Sequence, residues 1–259
     1  MLVRIDNPAR GDNWLLVSQI AHARLSGQLA TDWSEASFRA IEPRAELLAA
    51  ISRHDEGWAD WDAAPGVDAT TGRPISFLEM QQSASIEIWQ RSINAAEALG
   101  PLAAHVVSAH FTTLLQNAGA RWSADPRQFQ IARKFLDEHS ENRERWLPEW
   151  QHPEPTRRTR KVVDRALHYL QFFDMLSLWF CGADRYETES LTTPEGTEIT
   201  FQPLGECRFT MRPWLLAEAP FTATVPVRRV PVGRYKSREA LAAGPFQFDE
   251  LEFEITPAV

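Results

Sequence analysis

The octapeptide Ile51-Ser52-Arg53-His54-Asp55-Glu56-Gly57-Trp58 sets two polar residues at the end of an apolar helix. Leu47, Ala50, Ile51 and His54 recur at i, i+3, i+4 and i+7, so the imidazole shares the face that should meet a core. Gly57 reads as the helix stop, which puts Asp55 in the last turn. There the helix dipole is negative, and an anion is disfavoured by up to about 1 kcal/mol. A neighbouring cation removes that penalty. Two cations are candidates: a metal held jointly by His54 and Asp55, or an arginine paired with Asp55 while His54 is a hydrogen-bonded core residue.

Outward from this stretch, Pro43 opens the helix, since proline favours the first turn. Residues 1–5 read as a short strand. Trp14 to Ala30 reads as a helix whose stripe runs Leu15, Gln19, His22, Ser26 and Leu29. That face carries more polar groups than a plain core stripe, and His22 is a half-buried candidate ligand. Asp60 to Ser76 contains Pro65, Gly66, Gly72 and Pro74 and lacks periodicity; it is expected to be a loop, either a flap beside His54-Asp55 or a surface excursion. Helices are expected at about 77–98, 101–117 and 126–145. In the second, Pro101 starts the helix, and Ala103, Val106, Val107, His110 and Leu114 form an apolar face with the histidine in its middle. His105 lies off that face.

Ala166 to Phe180 is apolar almost all round, which marks a central buried helix, yet it contains Asp174. An unpaired buried carboxylate is so costly that Asp174 must be protonated, paired or bound to a metal. Beyond Gly182 the pattern changes to strands at 198–202, 206–213, 221–230 and 246–255, as in Leu251-x-Phe253-x-Ile255. They are expected to form an antiparallel sheet, with Pro213, Pro226 and Pro231 marking edges or strand ends and a short helix at Ser237 to Ala243.

Composition narrows the function classes. The chain has 259 residues, of which 44% are hydrophobic, ample for a core. Asp6, Asn7, Arg10 and Asp12 stand where a signal peptide needs an apolar run, and no stretch reaches membrane-span length, so a cytoplasmic protein is expected. Cys181 and Cys207 are too few for a disulfide framework or a cysteine-rich zinc site. Any metal must therefore use histidine and carboxylate. A net charge of −8 opposes a polyanionic partner, and the dense basic run is confined to Arg157-Arg158-Thr159-Arg160-Lys161. The expected partner is a small-molecule substrate rather than nucleic acid or membrane.

The inward polar residues run His22, then His54-Asp55, then His110, then Asp174. That order resembles the HD superfamily of metal-dependent phosphohydrolases, helical proteins with a His, His-Asp, Asp ligand set and often extra histidines before the last aspartate. The resemblance implies His22, His54, Asp55 and Asp174 as metal ligands, with His110, or His105 in its place, holding a second ion. More narrowly, Ser26-Gly27-Gln28-Leu29-Ala30, His54-Asp55-Glu56-Gly57-Trp58 and Val107-Ser108-Ala109-His110 resemble an uncharacterised bacterial family, domain of unknown function 3891. The implied fold is mainly α, an HD-like helical bundle over 1–182, with a C-terminal antiparallel β region over 183–259 packed on it. One departure stands out: many HD hydrolases carry a lysine shortly after the doublet, where this chain has Trp58.

Imidazole with carboxylate makes a site of intermediate hardness that suits Mn, Fe, Ni, Co or Zn, as one ion or two. Open positions on such an ion admit water or substrate. The expected reaction is hydrolysis of a small phosphate ester or nucleotide, with di-iron oxygen chemistry and a non-catalytic buried network as alternatives. Glu56 and the Asp60/Asp62 segment are candidate proton acceptors, and Arg53 or Arg24 a candidate contact for an anionic substrate; each has a competing reading as a solvated charge or an ion-pair partner.

Overall fold

The structure is a computed structural model that describes residues 1–5, 12–119, 125–182, 187–205 and 207–258. Strands β1 (Leu2–Ile5) and β2 (Asn13–Val17) precede helices α1 (Gln19–Thr31), α2 (Arg44–Arg53) and the short α3 (Ala59–Ala63). Then come α4 (Gln82–Glu97), α5 (Pro101–Asn117), α6 (Pro126–Gln151) and α7 (Arg160–Cys181). The rest is β3 (Glu189–Thr192), β4 (Glu198–Gly205), β5 (Arg208–Arg212), β6 (Phe221–Pro231), a short α8 (Arg238–Ala243) and β7 (Gln247–Pro257).

The expected helical bundle with a C-terminal antiparallel sheet is corrected here. The strands form one seven-stranded sheet in the order β1-β2-β6-β7-β5-β4-β3, curled into a half-barrel beside the helices. It draws β1 and β2 from the N-terminal segment, and it is mixed, because β5 and β7 run parallel. Asn13–Val17 belongs to a strand and not to the first helix. Its Leu15 continues the helical stripe of His22 and Ser26, but Val17 pairs with Val227 of β6, and Ser18 accepts a hydrogen bond from Ala21 N and starts α1 there. Alternation along a strand reveals its buried face and says nothing of which non-consecutive strand becomes its neighbour. That is why the parallel pairing lay outside the sequence pattern.

Within the sheet the alternation is realised. Phe221, Ala223 and Val225 of β6 stand opposite Ile255, Phe253 and Leu251 of β7, all six buried, while Thr222, Thr224, Glu252 and Glu254 face out. Pro226 stands opposite Glu250 of β7, just before the segment of β6 that also meets β2, so it has a strand neighbour on one side only. Phe180 at the end of α7 packs edge-on against Phe201 of β4 and tilted against Phe209 of β5, with ring centroids 5.9 and 4.9 Å away. One apolar cluster runs from Leu15 through α1, α2, α5 and α7 to Ile255. The central helix is thereby fixed between sheet and helices. Among the described residues no helix is long and apolar enough to cross a membrane.

Two glycines set the spacing of the helices that matter below. A Cβ on Gly27 of α1 would lie 2.6 Å from Ser52 Cβ of α2, so these helices touch backbone to side chain. Gly57 is not the helix stop. The helix ends at Arg53 with His54 as its cap, and Gly57 sits in a 3-10 turn over Glu56–Trp58 pressed against α4. There a Cβ would meet Ile88 O at 2.3 Å and Ser92 N at 2.4 Å, both backbone atoms that cannot rotate away. Gly57 N also donates to Ser92 Oγ at 3.0 Å. Gly57→Ala is therefore expected to destabilise the protein by about 3 kcal/mol or more, since overpacking against rigid atoms lies at the costly end of its range. Urea unfolding measures it, and a change below roughly 0.5 kcal/mol, the level of an ordinary surface substitution, contradicts the close approach.

A buried histidine and carboxylate cluster

His22, His54, Asp55, His110 and Asp174 meet between four helical segments. His22 lies one turn into α1, and the Gly27 contact brings α1 against α2, whose C-cap is His54. Adjacent residues of a continuing helix diverge by about 100°. His54 and Asp55 both turn inward because the helix has ended. Asp55 (φ −105°, ψ 20°) leaves the helical path and starts the 3-10 turn, with its carbonyl accepting from Trp58 N at 3.0 Å. His110 comes from α5 and Asp174 from α7.

The five side chains face one another. His22 Nε2 is 2.8 Å from Asp55 Oδ2, and His54 Nε2 is 3.2 Å from Asp174 Oδ1 and 3.5 Å from Asp55 Oδ2. Asp174 turns its second oxygen, Oδ2, to His110 Nε2 at 3.8 Å. The rings of His22 and His110 each sit edge-on to His54 at 5.5 Å. All five are buried; the widest opening is at Asp174, whose side chain is 10% exposed. Both carboxylates take histidines as their partners. The arginine pair that competed with a metal at Asp55 is not what the described residues show.

The other nitrogens of two of these rings are held. His54 Nδ1 donates to Ile51 O at 2.8 Å, which satisfies one of the carbonyls left open at the end of α2 and aims Nε2 into the cluster. His22 Nδ1 lies 3.0 Å from Ser177 Oγ. Ser177 in turn donates to Asp174 O at 3.0 Å and meets Ser26 Oγ at 2.7 Å, so the serine pair ties α1 to α7 behind the histidine. Such outer partners orient the two rings with Nε2 toward the cluster, where it can bind a metal that displaces its proton.

Charge is concentrated here. Burial opposes the charged form of His54, yet the Asp55 charge and the hydrogen bond to Asp174 outweigh it and raise its pKa to about 9. For Asp55 and Asp174 burial pushes the pKa up, but the histidines win and both carboxyls stay below the usual range. His110, with burial dominant, falls to about 4 and is neutral at physiological pH. Two buried carboxylates thus share the interior with imidazoles, a donor set that a divalent ion would neutralise. His22, His54 and Asp174 each present a donor atom, all within 4.8 Å of one another, so this buried group could hold a metal ion. Ligands at about 2.1 Å from an ion stand roughly 3 to 4 Å apart. The spacings around His54 already fall in that range.

The remaining candidates lie elsewhere. Arg53 Nε pairs with Glu56 Oε1 at 3.1 Å on the surface, with side chains 49% and 30% exposed, and Arg24 is exposed. His105 is buried with its Nδ1 unpartnered; burial and the charges of Arg143 and Arg160 lower it to about 4, and it is His110 that faces Asp174. Asp62 is no solvated charge: its Oδ2 accepts from Gln19 N at 2.8 Å and Ile20 N at 3.3 Å, capping the start of α1. The Asp60 to Ser76 stretch begins as α3 and closes on itself through a bridge between Val67 and Pro74. Trp58, at the position of the lysine of many HD hydrolases, is buried against Phe77. Three neighbours of the cluster were given no role on sequence: Gln19, Ser26 and Ser177. Gln19 and Ser26 stand on the stripe of His22, and Ser177 lies about one turn beyond Asp174 on α7. An open groove of about 740 Å³ over β6 and β7, lined in part by Gln28, Arg208, Thr222 and Glu252, shares no residue with the cluster.

Neither a curated protein nor a solved structure matches this chain. A family described as "Protein of unknown function (DUF3891)" matches residues 1–232. With the match covering most of its length, cluster included, the chain belongs to this family of unknown function.

Proposed function

We infer that the protein is a metal-dependent hydrolase whose ion is held by His22, His54, Asp55 and Asp174, with His110 completing a place for a second ion beside Asp174. The observation that carries this reading is the convergence of three buried imidazoles on two ionised carboxylates, with no arginine between them among the described residues. Without a cation, the two carboxylates are left to imidazole partners in a low-dielectric interior, which is costly. A bound divalent ion lowers the pKa of coordinated water to about 7 and so supplies hydroxide at neutral pH. The residues of the chain do the rest. Ile51 O and Ser177 orient the two histidines, and Asp55 and Asp174 set the charge and hardness of the site.

The substrate proposed for first test is a small phosphate ester or nucleotide. The likeness to HD hydrolases rests on ligand order alone and guides only that choice. A second reading, a di-iron oxygenase, would draw on the same residues, with His54 on the Oδ1 side of Asp174 and His110 on its Oδ2 side. Metal identity separates the two.

Chelator-stripped protein reloaded with Mn, Co, Ni, Zn or Fe(II) and assayed on a panel of phosphate monoesters and nucleotides is expected to turn over at least one of them. His54→Ala and Asp174→Ala should each lower that rate by more than about 100-fold, exceeding the range for outer-sphere changes, while the circular dichroism of the fold is retained. Full activity in either variant contradicts the assignment; dioxygen consumption by the iron-loaded form without any ester cleavage selects the oxygenase. Ser177→Ala tests the support of His22. It is expected to weaken metal binding by roughly 10- to 100-fold, measured by competition with a chromogenic chelator. Unchanged affinity would show that the serine pair only packs α1 against α7.

A further inference from the structure

Gln19 is the first residue of α1, and its main chain is clamped by the Asp62 carboxylate, which accepts from its N–H at 2.8 Å. Its side chain is buried, 3% exposed, and reaches the cluster. Nε2 lies 3.4 Å from Asp55 Oδ2 and 3.5 Å from His22 Nε2. An amide N–H toward a carboxylate is the favourable orientation, because the flipped amide would set two oxygens against each other. The carboxamide oxygen is thereby committed to the other direction, where Oε1 is buried without any hydrogen-bond partner. A buried carbonyl left unpaired is a cost that folded proteins avoid unless something else fills the place. No described residue fills it, and the amide nitrogen on the same carbon lies 3.4 Å from Asp55, a proposed metal ligand.

We propose that Gln19 is a positioning residue of the metal centre: its Nε2 steadies Asp55 Oδ2, and its Oε1 accepts a hydrogen bond from a donor, water or a substrate hydroxyl, that the centre binds. This rests on the metal reading above. Gln19 thus contributes to the site the acceptor that the histidines and the ionised carboxylates, once committed to an ion, no longer offer. It also makes a ligand with an O–H or N–H donor next to its metal-binding atom the class that fits, and a ligand with acceptors alone the class that does not.

The test uses full-length, chelator-stripped protein and Co(II) alone as the probe, with Gln19→Leu against wild type. Leu removes the unpaired carbonyl, so the metal-free variant should melt no lower than wild type. Co(II) should bind with the wild-type stoichiometry, roughly 10- to 100-fold more weakly, and with a changed visible absorption band, because both Asp55 and the bound donor lose their orientation. Wild-type affinity within twofold together with an unaltered band overturns the proposal. So does a lowered melting point of the metal-free variant with Co(II) affinity unchanged, the mark of a purely structural residue. If the leucine variant does not fold, Gln19→Met, which keeps the length and flexibility of the side chain, is read by the same two measurements. Wild-type protein that takes up no Co(II) overturns the metal reading itself; wild-type uptake with an indifferent Gln19 variant defeats this inference alone.

Discussion

Asp55 and Asp174 lie in the interior with imidazoles as their partners, and the elements that meet there are arranged around that concentration of charge. Removing one member of such a buried pair typically costs about 3–5 kcal/mol, because the other is left uncompensated. Stability and site are therefore hard to separate. The same hydrogen bonds that let the fold tolerate the carboxylates also aim the Nε2 atoms of His22 and His54 at them. A closed ion-pair network needs no more than that. What exceeds it is the unpartnered acceptor on Gln19 and the neutral His110, which receives no proton from the cluster and stands ready to donate a lone pair.

The architecture explains how residues so far apart in the chain reach one point. The half-barrel grips the end of α7 through Phe180, Phe201 and Phe209, fixing Asp174 one and a half turns back along that helix. Strand β2, paired to β6, leads directly into Ser18 and α1, so the sheet also sets where His22 begins its turn. Gly27 and Gly57 then remove the side chains that would hold α1 from α2 and the His54-Asp55 turn from α4. Sheet and helices act together on the site, even though every proposed ligand is helical or at a helix end.

Much of the site was legible in the sequence because burial and polarity conflict visibly there. His54 and His110 each fall on an apolar stripe, and Asp174 interrupts a helix that is otherwise apolar all round. Such residues demand a partner. Gln19 and Ser177 carry no such signal, since an uncharged polar side chain on a buried face has many uses and only its neighbours decide among them. The fold was read less well, for physical reasons. A five-residue strand such as Asn13–Val17 fits a helical stripe as easily as an alternation, and β6 inserts beside β7 in a way that leaves β5 a parallel neighbour, a long-range choice that local patterns do not encode. At Gly57, a glycine after an apolar helix looks the same whether it ends that helix or lets another backbone approach.

The most direct measurement is elemental analysis of untagged protein purified without chelator, with Asp55→Ala beside the wild type. A polyhistidine tag would confuse the metal count. Near-stoichiometric Mn, Fe, Co, Ni or Zn in the wild type, lost in the variant, is the predicted result, and the element found directs the search toward hydrolysis or oxygen chemistry. A wild type that carries no transition metal and takes none up on reconstitution contradicts the account, and leaves Asp55 and Asp174 as members of a buried hydrogen-bonded network with the histidines.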